Sequence, residues 1–200
     1  MSIWCRIRSR KFRHEIDICA LSLTAVGLGR FDADFQTTIF YLRFYLKYIE
    51  PIKSQIQSGR RRKVDLEALD AWDTMIGLQF ESLVLNSLES LLDVIQLSPS
   101  LVLNAGPYQQ GKTLRQQGCQ VDLMIRTKRT LYLFEIKFRN RIGIEVVEEM
   151  EEKIRRLKLP PTQSLRTGLI YQGELAPELL KQEAFDYLVP AESLLKAKTV

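Results

Sequence analysis

Two short stretches, Gln120 to Arg126 and Leu131 to Phe138, alternate apolar and polar residues in the way an antiparallel hairpin with one buried face requires. A turn centred on Lys128 and Arg129 pairs Leu123 with Phe134, Val121 with Ile136 and Asp122 with Glu135. Sliding the pairing by one residue would send each apolar side chain to the opposite face, so burial sets the register. Val121, Leu123 and Ile125 then share one face with Tyr132, Phe134 and Ile136, and Asp122 shares the other with Glu135 and Lys137. The rest of the chain has to cover that apolar surface.

The same register creates a chemical problem. Opposed carboxylates with Cβ atoms about 4.5–5.5 Å apart repel and are normally avoided in a sheet. A bound cation removes the objection. Mg²⁺ takes oxygen ligands at about 2.0–2.1 Å, commonly one or two carboxylates with water and substrate phosphate. Lys137, on the same face as Glu135, is placed to hold a water or to neutralise charge on a phosphate. Asp122, Glu135 and Lys137 are therefore the candidate catalytic group, with Mg²⁺ as expected cofactor and Mn²⁺ as its substitute. A solvated acid–base cluster on a half-exposed strand is the competing reading, and the apolar neighbours of these charges weigh against it.

Before the hairpin, residues 73–97 read as one helix with Ile76, Phe80, Leu83, Val84, Leu88, Leu91, Leu92 and Ile95 along a single stripe. Glu81 falls inside that stripe. A carboxylate turned toward a core needs a partner, a proton or a metal, although an edge position with the carboxylate reaching solvent is also open. A strand is expected over 101–104, a helix over 144–159, and further strands over 165–171 and 185–189. Glu149/Lys153, Glu151/Arg155 and Glu152/Arg156 sit at i,i+4 spacing and read as a solvated helix face. The order of helix, three strands, helix and two strands predicts an α/β (α+β) protein: a central mixed sheet flanked by helices.

Upstream, Phe40, Tyr41, Phe44, Tyr45 and Tyr48 recur at helical spacing, and that helix is expected to end near Glu50, ahead of Pro51. Such a stripe reads as packing. Residues 1–37 are poorly patterned, 38–72 form a helical linker region, and 73–200 form the main domain. Gly106 to Thr113 matches G-x-x-x-x-G-K-[ST] letter for letter. It fails as a phosphate loop because Gly118 leaves no room for the helix that must follow, and Pro107 removes an amide donor.

The net charge of +5 permits a nucleic-acid partner without proving one, so clustering has to decide. Arg60, Arg61 and Arg62, in a loop after Gly59, and Arg139 and Arg141, just past the acidic motif, are the candidate phosphate contacts; for the first group plain solvation is the leading reading and phosphate contact the alternative. Three cysteines without a CxxC pair support neither a disulfide framework nor a zinc ribbon. Basic Arg6 to Arg13 ahead of Ile18 to Gly29 imitates an export signal, but His14, Glu15 and Asp17 interrupt it and no A-x-A site follows. No apolar run reaches 18 residues, so no membrane span is expected, and the chain reads as cytoplasmic. His14, the only histidine, reads as a surface residue.

Asp122 followed by Glu135-Ile136-Lys137 resembles the D-x(n)-E-x-K signature of the PD-(D/E)XK nuclease superfamily. The stretches YLRFYLKYIEP (41–51), GLQFESLV (77–84), QVDLMIRTKRTLYLFEIKF (120–138) and EEMEEKIRRLKLP (148–160) together resemble the C-terminal, nuclease-like region of prokaryotic AAA-type ATPases. The resemblance covers residues 38–195. It implies a restriction-endonuclease-like core, metal binding by Asp122, Glu135 and the Ile136 carbonyl, a supporting ligand at Glu81, and Lys137 as catalytic lysine. Those relatives carry an ATPase module ahead of this region. The first 35 residues here cannot form one, so the chain reads as truncated and no ATPase activity is expected. The resulting expectation is a Mg²⁺-dependent phosphodiesterase acting on DNA. The alternative is a catalytically silent domain that binds DNA, another protein or a second copy of itself.

Overall fold

In the computed structural model, residues 41–60, 69–113, 116–157 and 162–195 are described. Arg61, Arg62 and His14, and the whole poorly patterned N-terminal segment, lie outside them. Five strands form one mixed sheet in the order β1 (Val102–Gln110), β2 (Cys119–Thr127), β3 (Thr130–Ile142), β4 (Ser164–Leu175) and β5 (Tyr187–Pro190). β1, β2 and β3 are antiparallel neighbours, whereas β3, β4 and β5 run parallel. Parallel neighbours need crossovers. These are supplied by α4 (Glu145–Arg156) between β3 and β4 and by the short α5 (Pro177–Lys181) between β4 and β5.

Helices cover both faces, which makes this the α/β sheet that the element order predicts. On one face α2 (Trp72–Asn86), α3 (Leu88–Val94) and α6 (Ala191–Leu195) enclose a core containing Phe80, Val84, Leu91, Leu92, Leu123, Ile125, Phe134 and Ile136. On the other, α4 and α5 enclose Val121, Leu131, Leu133, Ile142, Val146, Met150, Leu169 and Leu179. Among the described residues no helix is long and apolar enough to cross a membrane.

Several sequence expectations need correction. The single helix over 73–97 is two, α2 and α3, separated at Ser87, and Leu83 is turned outward to 39% exposure. The strand over 101–104 runs on to Gln110, so the phosphate-loop look-alike is strand: its Gly106 pairs with Met124 and its Tyr108 with Val121. Pro107 falls where that ladder changes register, the position in a sheet at which a missing N–H costs least. Pro51 does not end the aromatic helix. It occupies the first turn of a 3₁₀ segment, Glu50–Ile52, and helix continues as α1 (Lys53–Gln57), since a first-turn N–H has no intrahelical acceptor to lose. The aromatic stripe itself does pack: Phe44 and Tyr48 lie against Trp72, and the Tyr48 hydroxyl donates to the Asp70 carbonyl at 2.8 Å.

The hairpin turn and register are as the alternation requires, with Leu123, Met124, Ile125 and Arg126 opposite Phe134, Leu133, Tyr132 and Leu131. The ladder stops at Leu123 and Phe134. Between Val121 and Met124, β2 carries one residue more than β1 does between Gly106 and Tyr108. A bulge of this kind breaks the alternation. Val121 therefore joins the core under α4 instead of sharing a face with Leu123, and neither Val121 with Ile136 nor Asp122 with Glu135 forms the expected ladder pair.

Candidate functional site

Where the β2–β3 ladder ends, a side chain takes over its hydrogen bonding. The Ile136 N–H, freed from the ladder, donates to Asp122 Oδ2 at 3.0 Å. Both backbone groups of a strand residue point to the same neighbour, so the Ile136 carbonyl is also turned toward β2. The parted strands leave a notch on the α4 side of the sheet, and it opens into a cleft of about 680 Å³.

Asp122, Glu135 and Lys137 meet in this notch, as their shared face requires. Glu135 is 2% exposed, one of three buried polar or charged residues among those described. Lys137 Nζ lies 2.9 Å from Glu135 Oε1 and 2.6 Å from Glu149 Oε2. Lys153 Nζ donates to Glu135 Oε2 at 2.5 Å and stands 3.7 Å from Asp122 Oδ1. Each Glu135 oxygen thus receives its own ammonium group, and one of those groups bridges to Asp122.

Lys153 and Glu149 correct the sequence reading. Their i,i+4 spacing suggested a solvated pair, but Glu149 turns to Lys137 and Lys153 turns inward; the pairs Glu151/Arg155 and Glu152/Arg156 do remain on the outer face. The missed signal was the buried stripe of α4. Val146 and Met150 are buried, and Lys153 follows Met150 at i+3 on the same side.

Burial raises the Asp122 carboxyl to about 6, helped by the Glu135 charge. Glu81, on α2 beside Phe80, whose ring contacts Phe138 at 5.5 Å, is raised to about 7 by burial and then by Asp122 and Glu135. The helix therefore brings Glu81 into the electrostatic field of the pair. Burial would lower Lys137, but Glu135 and Glu149 outweigh it and hold the ammonium above its ordinary value. Burial would likewise raise Glu149, yet the hydrogen bond and charge of Lys137 leave it lowered. Four acids share this region with two lysines. Among the described residues no three His, Cys, Asp or Glu side chains are gathered tightly enough to enclose an ion. Lys153 stands between the two nearest carboxylates.

An acid with a raised pKa in the folded protein keeps its proton where the unfolded chain has lost it. Stability then falls as pH climbs from about 4.5 to about 7 through Glu81. Glu81→Gln removes that loss. It should leave stability unchanged below pH 4 and raise it by about 1–2 kcal/mol at pH 8, a figure discounted for solvent access, as measured by urea denaturation at the two pH values.

A further wall of the cleft comes from the end of β1 and the phosphate-loop look-alike: Gln109, Gln110, Gly111 and Lys112. Gln110 Nε2 donates to the Gln117 and Arg156 carbonyls, both at 2.8 Å, and ties the end of β1 to the end of α4. Lys112 and Arg156, read from the sequence as part of a phosphate-loop look-alike and as one half of a solvated ion pair, supply basic charge at the rim. Arg139 stands 3.7 Å from Glu145 and close enough to act on the cleft-lining Glu149, but does not itself line the cleft. Arg141 and Arg60 are exposed and do not line the cleft.

No curated protein matches the chain. Among solved structures, protein VC1899 from Vibrio cholerae is similar at 13% identity and a TM-score of 0.45, over 72% of this chain and 39% of that one. Residues 45–154, more than half of the chain, match the family DUF234, described as "Archaea bacterial proteins of unknown function", and the chain belongs to that family.

Proposed function

We propose that this domain hydrolyses phosphodiester bonds in DNA with the help of a divalent cation, as a member of the PD-(D/E)XK nuclease group with a restriction-endonuclease-like core. The supporting observation is the convergence of Asp122, Glu135 and Lys137 in one notch that opens on a cleft with basic groups at its rim. The donor set fits a hard cation: two carboxylates, the Ile136 carbonyl turned to the same side, and Glu81 nearby, with acids in excess of lysines. A divalent ion held there supplies Lewis-acid polarisation of a phosphoryl oxygen and acidifies bound water.

The chain's own groups do the rest. The Lys137 ammonium, anchored on Glu149, stays charged and is positioned to orient the attacking water or to neutralise charge developing on the phosphate. Lys112 and Arg156 at the rim, with Arg139 farther along β3, hold backbone phosphate, which makes binding weaken with salt and largely indifferent to sequence. A cytoplasmic setting, where DNA is at hand, goes with this reading. A silent binding domain is the second reading, and the bridge already made by Lys153 across the two carboxylates favours it.

Supercoiled plasmid incubated with the purified chain and Mg²⁺ separates the two. Wild type should nick it, while Asp122→Ala and Lys137→Ala should be slower by about a hundredfold or more. Equal nicking by all three would exclude this site as the source.

A further inference from the structure

Between Asp122 and Glu135, where the proposed reading needs a cation, the folded chain has a cation of its own. Lys153 Nζ is 2.5 Å from Glu135 Oε2 and 3.7 Å from Asp122 Oδ1. Lys137 is different, because Glu149 gives it an anchor at 2.6 Å outside the carboxylate pair. Among the described residues, Lys153 makes its ion pairs with those two carboxylates, while Glu149 and Glu81 act on it at longer range. Its backbone is fixed: the Lys153 carbonyl accepts from the Leu157 N–H at 3.0 Å and from the Cys119 thiol at 3.6 Å. Its side chain is 21% exposed and borders the cleft, so it has a path outward that needs no movement of the helix.

From this geometry we propose that Lys153 is a tethered counter-cation that competes with a divalent ion for Asp122 and Glu135. Loading the ion expels the ammonium into the cleft, where it joins Lys112 and Arg156 as a contact for phosphate. The inference rests on the carboxylate pair being an ion site. An ammonium and a dication cannot share two carboxylates at these distances without strong repulsion, since like charges close together in a partly buried site are poorly screened. Without the ion, Lys153 neutralises a pair that would otherwise repel. With the ion, the same charge is released at the place where the anionic substrate would enter. Ion loading and substrate binding are then coupled through one side chain.

Mn²⁺ titration by calorimetry, on the purified chain without DNA, tests this. Lys153→Met should bind Mn²⁺ at least about tenfold more tightly than wild type, and Glu135→Gln should not bind it. Should Lys153→Met fold poorly, wild type alone suffices: acylation of its lysines, read by mass spectrometry, should increase severalfold at Lys153 on adding Mg²⁺ and stay constant at exposed Lys128. Binding only by Lys153→Met would also support the competition. Equal Mn²⁺ affinity for wild type and Lys153→Met with Lys153 labelling unmoved, while Glu135→Gln abolishes binding, would overturn the counter-cation role and leave the ion site standing. No binding to any variant, or binding undiminished in Glu135→Gln, would overturn both.

Discussion

Glu135→Ala should destabilise the chain by about 3–5 kcal/mol in metal-free buffer, the range for deleting one partner of a buried ion pair. Glu135 holds Lys137 through one oxygen and Lys153 through the other, and its own side chain is 3% exposed. Truncation leaves Lys153 with only Asp122, 3.7 Å away, and leaves Lys137 with only Glu149. Neither ammonium regains full hydration, because the Lys137 and Lys153 side chains are 14% and 21% exposed. Adding Lys153→Met to Glu135→Ala should recover a substantial part of the loss, since it removes the charge left without its main partner; single and double variants compared by urea denaturation give the coupling directly. A loss below about 1 kcal/mol would mean that the network is solvated and that its geometry has little bearing on stability.

This network also marks the limit of what the sequence makes legible. Asp122, Glu135 and Lys137 could be gathered from the residues because strand alternation and one buried face fix the register, and the observed pairs from Leu123 to Arg126 keep it. The strand parting that makes a notch there could not be read, since it comes from an extra residue in β2 relative to β1, a relation between two strands. For the same reason Val121 changes faces. Glu149 and Lys153 were hidden by an equally good local explanation, an i,i+4 ion pair, which tertiary packing overrides by giving each a partner from β3. The continuation of β1 beyond residue 104 was not legible because Gly106 and Pro107 both disfavour strands, and a ladder irregularity at that point makes them acceptable. The helix pattern drew attention to Glu81, which does lie in the field of Asp122 and Glu135, but implied the wrong continuity, for nothing in the apolar stripe announces the break at Ser87.

A second irregularity, farther along β3, should be the most sensitive backbone position in the sheet. Phe138 pairs with Gln172 and Arg141 with Glu174, so β3 spends three steps where β4 spends two. The extra residue reverses the alternation: Phe134 and Ile136 pack with α2 and α3, whereas Ile142 lands under α4. Opposite the bulge, Gly173 has φ +129°, and a Cβ there would come within 1.7 Å of the Arg139 carbonyl oxygen. No side-chain rotation relieves a clash with backbone. Gly173→Ala must therefore either strain β4 or remove the bulge, and removing it would rotate Ile142 out of its core and displace Arg139 from its place near Glu149. Strain from the disfavoured φ and overpacking each cost about 1–3 kcal/mol, so a combined loss of about 3–5 kcal/mol is expected on urea denaturation. Gly77→Ala is the control, because a Cβ at Gly77 meets nothing within 4 Å, and a helix interior favours Ala by about 0.8–1.0 kcal/mol. Were Gly173→Ala as stable as Gly77→Ala, the bulge would not be what sets the faces of β3, and the orientation of Arg139 near Glu149 would need another cause.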